Sequence, residues 1–343
     1  MAWNPGQTLQ DGKYTLESQL GRGRFAITYL AKDRNGKELV IKTLDEDMLN
    51  QLTPKERNSL TSKFVNEGRK LERCKHPHVV CLLDTFMEGQ LFCLAMEYIH
   101  GDTLESIVRV RKFLPELEVL SYIRQIGEAL IEVHKQRLLH RDVKPENILV
   151  RAGQHNVVLI DFDLADEFDN PLTSRFKDQR FAPMELNSST RPRGSYTDVY
   201  SLAATLYFLL TGDLPASALE RMDKTADLIP PRTKNPGISQ KVNDAIIKGM
   251  ELYPEKRPQN MQEWLDLLGV PDNAPNLPDE ASPAPKNPWW KDATFWTAVG
   301  AIATLLTAIV ALIAYLKPPS SPSPEPTSSA TPKLQVTPTQ TNK

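Results

Sequence analysis

The stretch His140-Arg141-Asp142-Val143-Lys144-Pro145-Glu146-Asn147-Ile148-Leu149, followed 14 residues after Asn147 by Asp161-Phe162-Asp163, decides how this chain is read. It sets two acids, an amide and a cation around one turn. Phosphoryl transfer asks little covalent chemistry of a protein and much positioning and charge neutralisation. An Asp to orient a hydroxyl, oxygen ligands for magnesium and a Lys for the phosphate make a minimal kit, and all of them are present. Mg²⁺ takes hard oxygen ligands and keeps waters and phosphate oxygens in its shell, which suits one carboxylate, Asp161, with one amide oxygen, Asn147.

Upstream of this stretch the pattern is strand-like over Tyr14 to Leu20, Ile27 to Ala31, Leu39 to Leu44, Val79 to Phe86 and Leu91 to Met96. Gly21-Arg22-Gly23-Arg24-Phe25-Ala26 falls between the first two runs, where glycines let backbone N–H groups approach phosphates. Val40-Ile41-Lys42 lies on the third run. Thr53-Pro54-Lys55-Glu56 has the residues of a capping box with Pro at the first helical position, and Leu60, Phe64 and Leu71 mark one face of the helix it opens. Glu67 lies on that apolar face. It is either a buried acid that needs a cation, for which Lys42 is the natural choice, or a surface acid at the edge of the stripe.

Beyond residue 100 the chain turns helical. Val119, Ile123, Ile126, Leu130 and Val133 form one stripe, and an almost wholly apolar run from Val199 to Leu210 is stopped by Gly212. A helix-like stretch ends at Met261, Trp264, Leu265 and Leu268. The expected class is α+β, a small sheet-rich lobe with one helix (14–98) before a larger helical lobe (99–268), with residues 1–13 as an N-terminal extension.

The loop and metal motifs resemble those of the eukaryotic-type Ser/Thr protein kinases, in particular the membrane-bound bacterial ones, over about residues 14 to 268. The resemblance implies the bilobal kinase fold, transfer of the γ-phosphate of ATP to protein hydroxyls, and autophosphorylation. It makes Asp142 the catalytic base and puts Lys144 on the γ-phosphate, pairs Lys42 with Glu67, and gives Asn147 and Asp161 the Mg²⁺, with Mn²⁺ as an alternative ion. ATP would be covered by the loop from Gly21 to Ala26 and flanked by Leu20, Ile27, Thr28, Val40 and Leu149. In Leu94-Ala95-Met96-Glu97-Tyr98-Ile99, main-chain groups of Glu97 and Ile99 would hold adenine, with Met96 behind. Ala182-Pro183-Met184-Glu185 resembles the APE motif, its Glu185 pairing with Arg257. Asp198 resembles the acid that supports the catalytic loop, although an acid opening a helix is also stabilising by itself.

Departures from the family pattern sharpen the alternatives. Ala26 replaces the third loop glycine. Asp163 follows Phe162 where the family has Gly, which removes φ freedom and adds charge beside the metal. Asp178 aligns with a threonine that touches the catalytic Asp and Lys. A pseudokinase or nucleotide-binding scaffold with weakened transfer, and a small-molecule phosphotransferase, are the competing readings; the full set of motif residues opposes the first and the APE-like motif with Arg257 the second. Thr173 and Ser174 are candidate phosphosites for which Arg141 would be a partner.

The formal charge of −2 and the lack of a long Lys/Arg block exclude nucleic acid as an expected partner. Cys74, Cys81 and Cys93 form no CxxC pair and read as core thiols. Residues 269–293 are a Pro-rich linker. Residues 294–316 carry no charge and, as a helix of about 34 Å, match a hydrocarbon core of about 30 Å. Trp289, Trp290, Trp296 and Tyr315 sit at its edges. The expected arrangement is a single transmembrane helix in the cell membrane, the catalytic domain in the cytoplasm with ATP, and a disordered Pro/Ser/Thr-rich tail over 317–343. Ala303, Thr307 and Ala311 offer a small-residue face for a homodimer.

Overall fold

The extended runs of the first hundred residues close into a six-stranded antiparallel sheet. Its strands are β1 (Thr8–Leu9), β2 (Tyr14–Arg22), β3 (Ala26–Asp33), β4 (Glu38–Leu44), β5 (Leu82–Glu88) and β6 (Leu91–Glu97), ordered β1-β2-β3-β4-β6-β5. The inner strands β4 and β6 bury side chains on both faces. The computed structural model describes residues 3–23, 25–161, 179–187 and 191–269. Of the two units into which the chain divides, Met1–Ser282 and Pro283–Lys343, only the first contains described residues. The expected membrane span, tail and dimer face and the linker beyond Gly269, together with Arg24, Phe162, Asp163, Thr173, Ser174 and Asp178, lie outside them. Among the described residues no helix is long and apolar enough to cross a membrane.

One face of the sheet buries Leu9, Leu16, Ile27, Tyr29 and Ile41. Against the other lies α2 (Pro54–Arg73), preceded by the short α1 (Glu46–Leu49). The capping box at the start of α2 forms: Thr53 Oγ1 accepts from Glu56 N–H, and Glu56 Oε2 accepts from Thr53 N–H. Leu60, Phe64, Glu67 and Leu71 are all buried on its inner face. Two strand expectations shift. Thr8–Leu9, within the stretch read as an extension, pairs with β2, and Leu9 is fully buried. Val79, expected to open a strand, instead makes an isolated parallel bridge to Leu159, and β5 starts at Leu82. The cysteines are free, but only Cys74 and Cys93 are buried. Cys81 is exposed because it stands in the link before β5, not in the alternating strand.

The second lobe begins with β7 (Gly101–Thr103), α3 (Leu104–Arg111) and α4 (Glu116–Lys135). The strands β8 (Ile148–Arg151) and β9 (Val157–Leu159) pair antiparallel with each other and, through β8, with β7. The apolar run becomes α5 (Ser195–Thr211), buried along almost its whole length, which explains why it shows no helical alternation. Around it pack α4, α8 (Gln240–Gly249) and α9 (Met261–Leu268), with the short α6 (Ala218–Met222) and α7 (Pro231–Lys234) before them. Gly212 ends α5 in a left-handed conformation, as the sequence expects.

Candidate active site

Lys42 lies on β4, and its strand register aims the side chain toward α2. Its Nζ donates to Glu67 Oε1 at 2.9 Å and to Asp161 Oδ1 at 3.0 Å. Lys42 and Glu67 are buried, whereas the Asp161 side chain is 43% exposed and forms the open end of the trio. Burial works to lower the Lys42 pKa, yet the two carboxylates more than reverse it and hold it above the ordinary lysine range. Burial likewise works to raise Asp161, and Lys42 overrides it, leaving that carboxyl below its usual range. Lys42 and Asp161 are therefore both charged at neutral pH. The buried-acid reading of Glu67 is the one the structure takes.

Asp142 and Lys144 stand in the loop between α4 and β8. Lys144 Nζ lies 3.0 Å from Asp142 Oδ2, and Asn147 Nδ2 donates to the backbone oxygen and to Oδ2 of Asp142, each at 2.8 Å. With its amide nitrogen spent on Asp142, Asn147 has its oxygen left for a cation. Among the described residues no three His, Cys, Asp or Glu side chains are grouped to hold a metal. The donors at hand, one carboxylate (Asp161) and one amide oxygen (Asn147), instead fit Mg²⁺, which draws the rest of its shell from water and phosphate.

The loop is held from below. Asp198, fully buried at the start of α5, accepts from His140 N–H at 2.9 Å, Arg141 N–H at 2.8 Å and His134 Nε2 at 2.8 Å. These bonds fix a strained backbone, since Arg141 has φ +68°. Burial works to raise the Asp198 pKa, and the hydrogen bond from His134 leads the effects that bring it below the ordinary value. Asp198 is thus more than a helix-terminal charge. His134 was not foreseen; its only signal is a polar ring adjoining the α4 apolar stripe at Leu130 and Val133. Arg141 lines a hollow of about 420 Å³ with Lys70, Arg137 and Arg193.

Between the lobes runs a cleft of about 460 Å³. Leu20, Gly21, Thr28 and Val40 line it from the sheet, Met96, Glu97 and Ile99 from the connection, and Leu149 with Asp161 from the second lobe. Val80, Tyr98, Gly101, Thr103 and Ile160 join them without having been foreseen, because short links carry no periodic signal. Other expected ATP contacts lie elsewhere. Ile27 faces the opposite side of the sheet, packed with Leu16 and Ile41, since strand alternation turns it away from its neighbour Thr28. Ala26 and Phe25 pack in the core beneath the sheet. Arg22 is engaged with Asp45, and Gly23 N–H donates to Ala26 O within the turn at 2.8 Å. The Glu97 side chain, away from its main chain, pairs with Arg151 at 2.9 Å. Further down, Arg257 Nη1 meets Glu185 Oε1 at 2.6 Å, both side chains without exposure.

Residues 14–266 match the protein kinase domain family. A probable serine/threonine-protein kinase of Clostridium perfringens is 30% identical over 277 residues, covering 77% of this chain and 39% of its own length. The serine/threonine-protein kinase PkaB of Streptomyces coelicolor is 29% identical over 262 residues, 71% of this chain and 60% of its own. This chain thus spans about two fifths of the clostridial kinase's length. Among solved structures, PpkA-294 in its apo form superposes with a TM-score of 0.68 at 24% identity, covering 78% of this chain and 99% of that one. The kinase domain of Mycobacterium tuberculosis PknI gives 0.61 at 23% identity, over 78% and 99%. These likenesses show the bilobal fold.

Proposed function

This chain belongs to the protein kinase domain family, and from that membership we propose that it transfers the γ-phosphate of ATP to serine and threonine hydroxyls of other proteins. The observation that carries this reading is the convergence of Lys42, Glu67 and Asp161 at one end of the cleft, with Asp142, Lys144 and Asn147 arranged on the loop beside it. The apolar walls at Leu20, Val40 and Leu149 take the adenine, and the main chain at Glu97 and Ile99 recognises its edge. Lys42, held charged between two carboxylates, meets the phosphates. Asp142 orients the acceptor hydroxyl and accepts its proton, and Lys144 neutralises charge on the moving phosphoryl group. Asp161 and Asn147 would hold Mg²⁺, or Mn²⁺ in its place, and the ion supplies charge neutralisation on the phosphate oxygens.

Protein substrates, attachment to the cell membrane through residues 294–316 with a cytoplasmic catalytic domain, and pairing of two chains through Ala303, Thr307 and Ala311 belong to the same proposal. What supports the span is its length without charge and its aromatic edges. Regulation by phosphate on Thr173 or Ser174 is supported by the cluster of Arg141, Lys70, Arg137 and Arg193 around one hollow. The kinase reading is favoured over a nucleotide-binding scaffold by Asp142, Lys144 and Asn147 joined on one loop, groups that transfer needs and nucleotide binding alone does not.

The test is the full chain in detergent with radiolabelled ATP and Mg²⁺, on itself and on a generic protein substrate, beside Asp142→Asn. Label on serine or threonine that vanishes in the variant supports transfer. Nucleotide binding with equal, background label in both proteins would leave the scaffold.

A further inference from the structure

Arg22 ends β2 inside the glycine loop, yet its guanidinium is committed sideways. Nε donates to Asp45 Oδ2 at 2.7 Å and Nη2 reaches the same oxygen at 2.6 Å, with Asp47 further off at 3.4 Å. Asp45 is buried and directly follows β4, three residues beyond Lys42. In the sheet β3 lies between β2 and β4, so this pair bridges the root of the loop across the strand that leaves it. The main chain adds a second tie from the same residue: Asp45 N–H donates to Phe25 O at 2.8 Å. The limb entering the loop is thus held through Arg22, and the limb leaving it through Phe25. Asp45 itself is fixed by its other oxygen, Oδ1, which accepts from Asp47 N–H at 3.1 Å and caps α1.

We propose that Arg22 and Asp45 are positioning residues that hold the glycine loop in its phosphate-covering conformation and in register with Lys42. The proposal rests on the kinase reading for the identity of the nucleotide. A loop ordered before ATP arrives avoids an ordering cost on binding, so the pair acts on nucleotide affinity more than on the transfer step. Gly21 and Arg22 ladder to β3 and Gly23 N–H bonds Ala26 O within the turn, and the arginine side chain adds the one charged tie from Gly21-Arg22-Gly23 to another element.

The experiment uses the full chain in detergent, comparing wild type with Arg22→Gln, Asp45→Asn and the exchanged pair Arg22→Asp/Asp45→Arg. Asp45→Asn keeps an oxygen for the α1 cap, and thermal melting verifies that each protein is folded. Dissociation constants for a fluorescent ATP analogue and KM for ATP should rise about three- to fivefold in both single variants, with kcat within about 1.5-fold, and the exchanged pair should recover part of the loss. Unchanged constants in folded single variants overturn the proposal. So does a rise for Arg22→Gln with none for Asp45→Asn, which would mean that Arg22 serves the phosphates directly. A wild-type chain that binds no nucleotide overturns the kinase reading, and this proposal with it; wild-type binding with indifferent variants sinks the positioning role alone.

Discussion

Glu185 and Arg257, 72 positions apart, meet as a bidentate ion pair without solvent exposure, Nη1 to Oε1 at 2.6 Å and Nη2 to Oε2 at 3.1 Å. The arginine's remaining donors reach Glu251 O at 2.6 Å and Leu252 O at 3.0 Å, and its guanidinium lies 4.9 Å from the Tyr200 ring centre. Every strong donor direction is used, so the site is specific for arginine's fork. Arg257→Ala leaves Glu185 charged and buried without its partner, and should cost about 3–5 kcal/mol. Chemical denaturation of the full chain checks this; a loss below about 1 kcal/mol would show that the neighbouring Thr197 hydroxyl, 3.2 Å from Glu185, suffices.

Asp142→Asn and Lys42→Met should fail differently. Asp142 is partly open and not needed to neutralise a buried charge, so its amide should fold normally, bind ATP, and lose about 10²–10⁴ in kcat as a general base is removed. Lys42 is buried against Glu67, so its loss should lower the melting temperature as well as the activity. Melting curves measured beside transfer rates separate the two. Equal stability of both variants would mean that Glu67 takes up a proton or another partner at little cost.

The candidate site was legible because its chemistry is written locally, in the run from His140 to Asn147 and in Lys42 on a strand. α2 was legible as well, since Thr53 and Glu56 sit at capping-box spacing and Leu60, Phe64 and Leu71 at helical spacing. What escaped is set by long-range register. Nothing near Thr8 shows that two residues will extend a sheet, and Ile27 and Thr28 differ in function only through which face each strand position takes. His134, Asp45 and Arg151 are ordinary polar residues until the fold brings Asp198, Arg22 and Glu97 to them.

Gly212 is required by both its backbone and its surroundings. It holds φ +73° at the end of α5, and a Cβ built there would lie 2.0 Å from the carbonyl oxygen of Lys112, just past α3. Gly212→Ala therefore demands a left-handed alanine and a shift of neighbouring backbone, which should cost roughly 2–3 kcal/mol. The measurement is the denaturation midpoint of the full chain, with Gly153→Ala as control: that glycine has φ +70° but nothing within 4 Å of the added methyl. Equal losses at the two positions would show that φ alone matters and that the α3–α5 approach is soft.

Acid should destabilise the fold through His140 well before the carboxylates titrate. The ring is fully buried, with Nδ1 placed to accept from Asp142 N–H at 3.3 Å and Nε2 3.2 Å from Ile160 O, an arrangement that a neutral ring protonated on Nε2 satisfies. A proton on Nδ1 would face another N–H. Burial lowers the pKa below its ordinary 6.5, against the opposing pull of Asp198 and Asp142, and burial lowers His76 and His78 in the same direction. The unfolded chain then takes up protons first, so the stability these rings confer is complete above about pH 6.5 and falls as pH drops through their depressed folded values. Asp198, also depressed, joins only below the ordinary carboxylate range. Denaturation free energy at pH 7, 6 and 5 should decline, and His140→Asn should flatten that decline by up to about 1.4 kcal/mol per pH unit, one proton's worth. An identical slope in the variant would assign the acid sensitivity to His76 and His78, on the link between α2 and β5, and not to the catalytic loop.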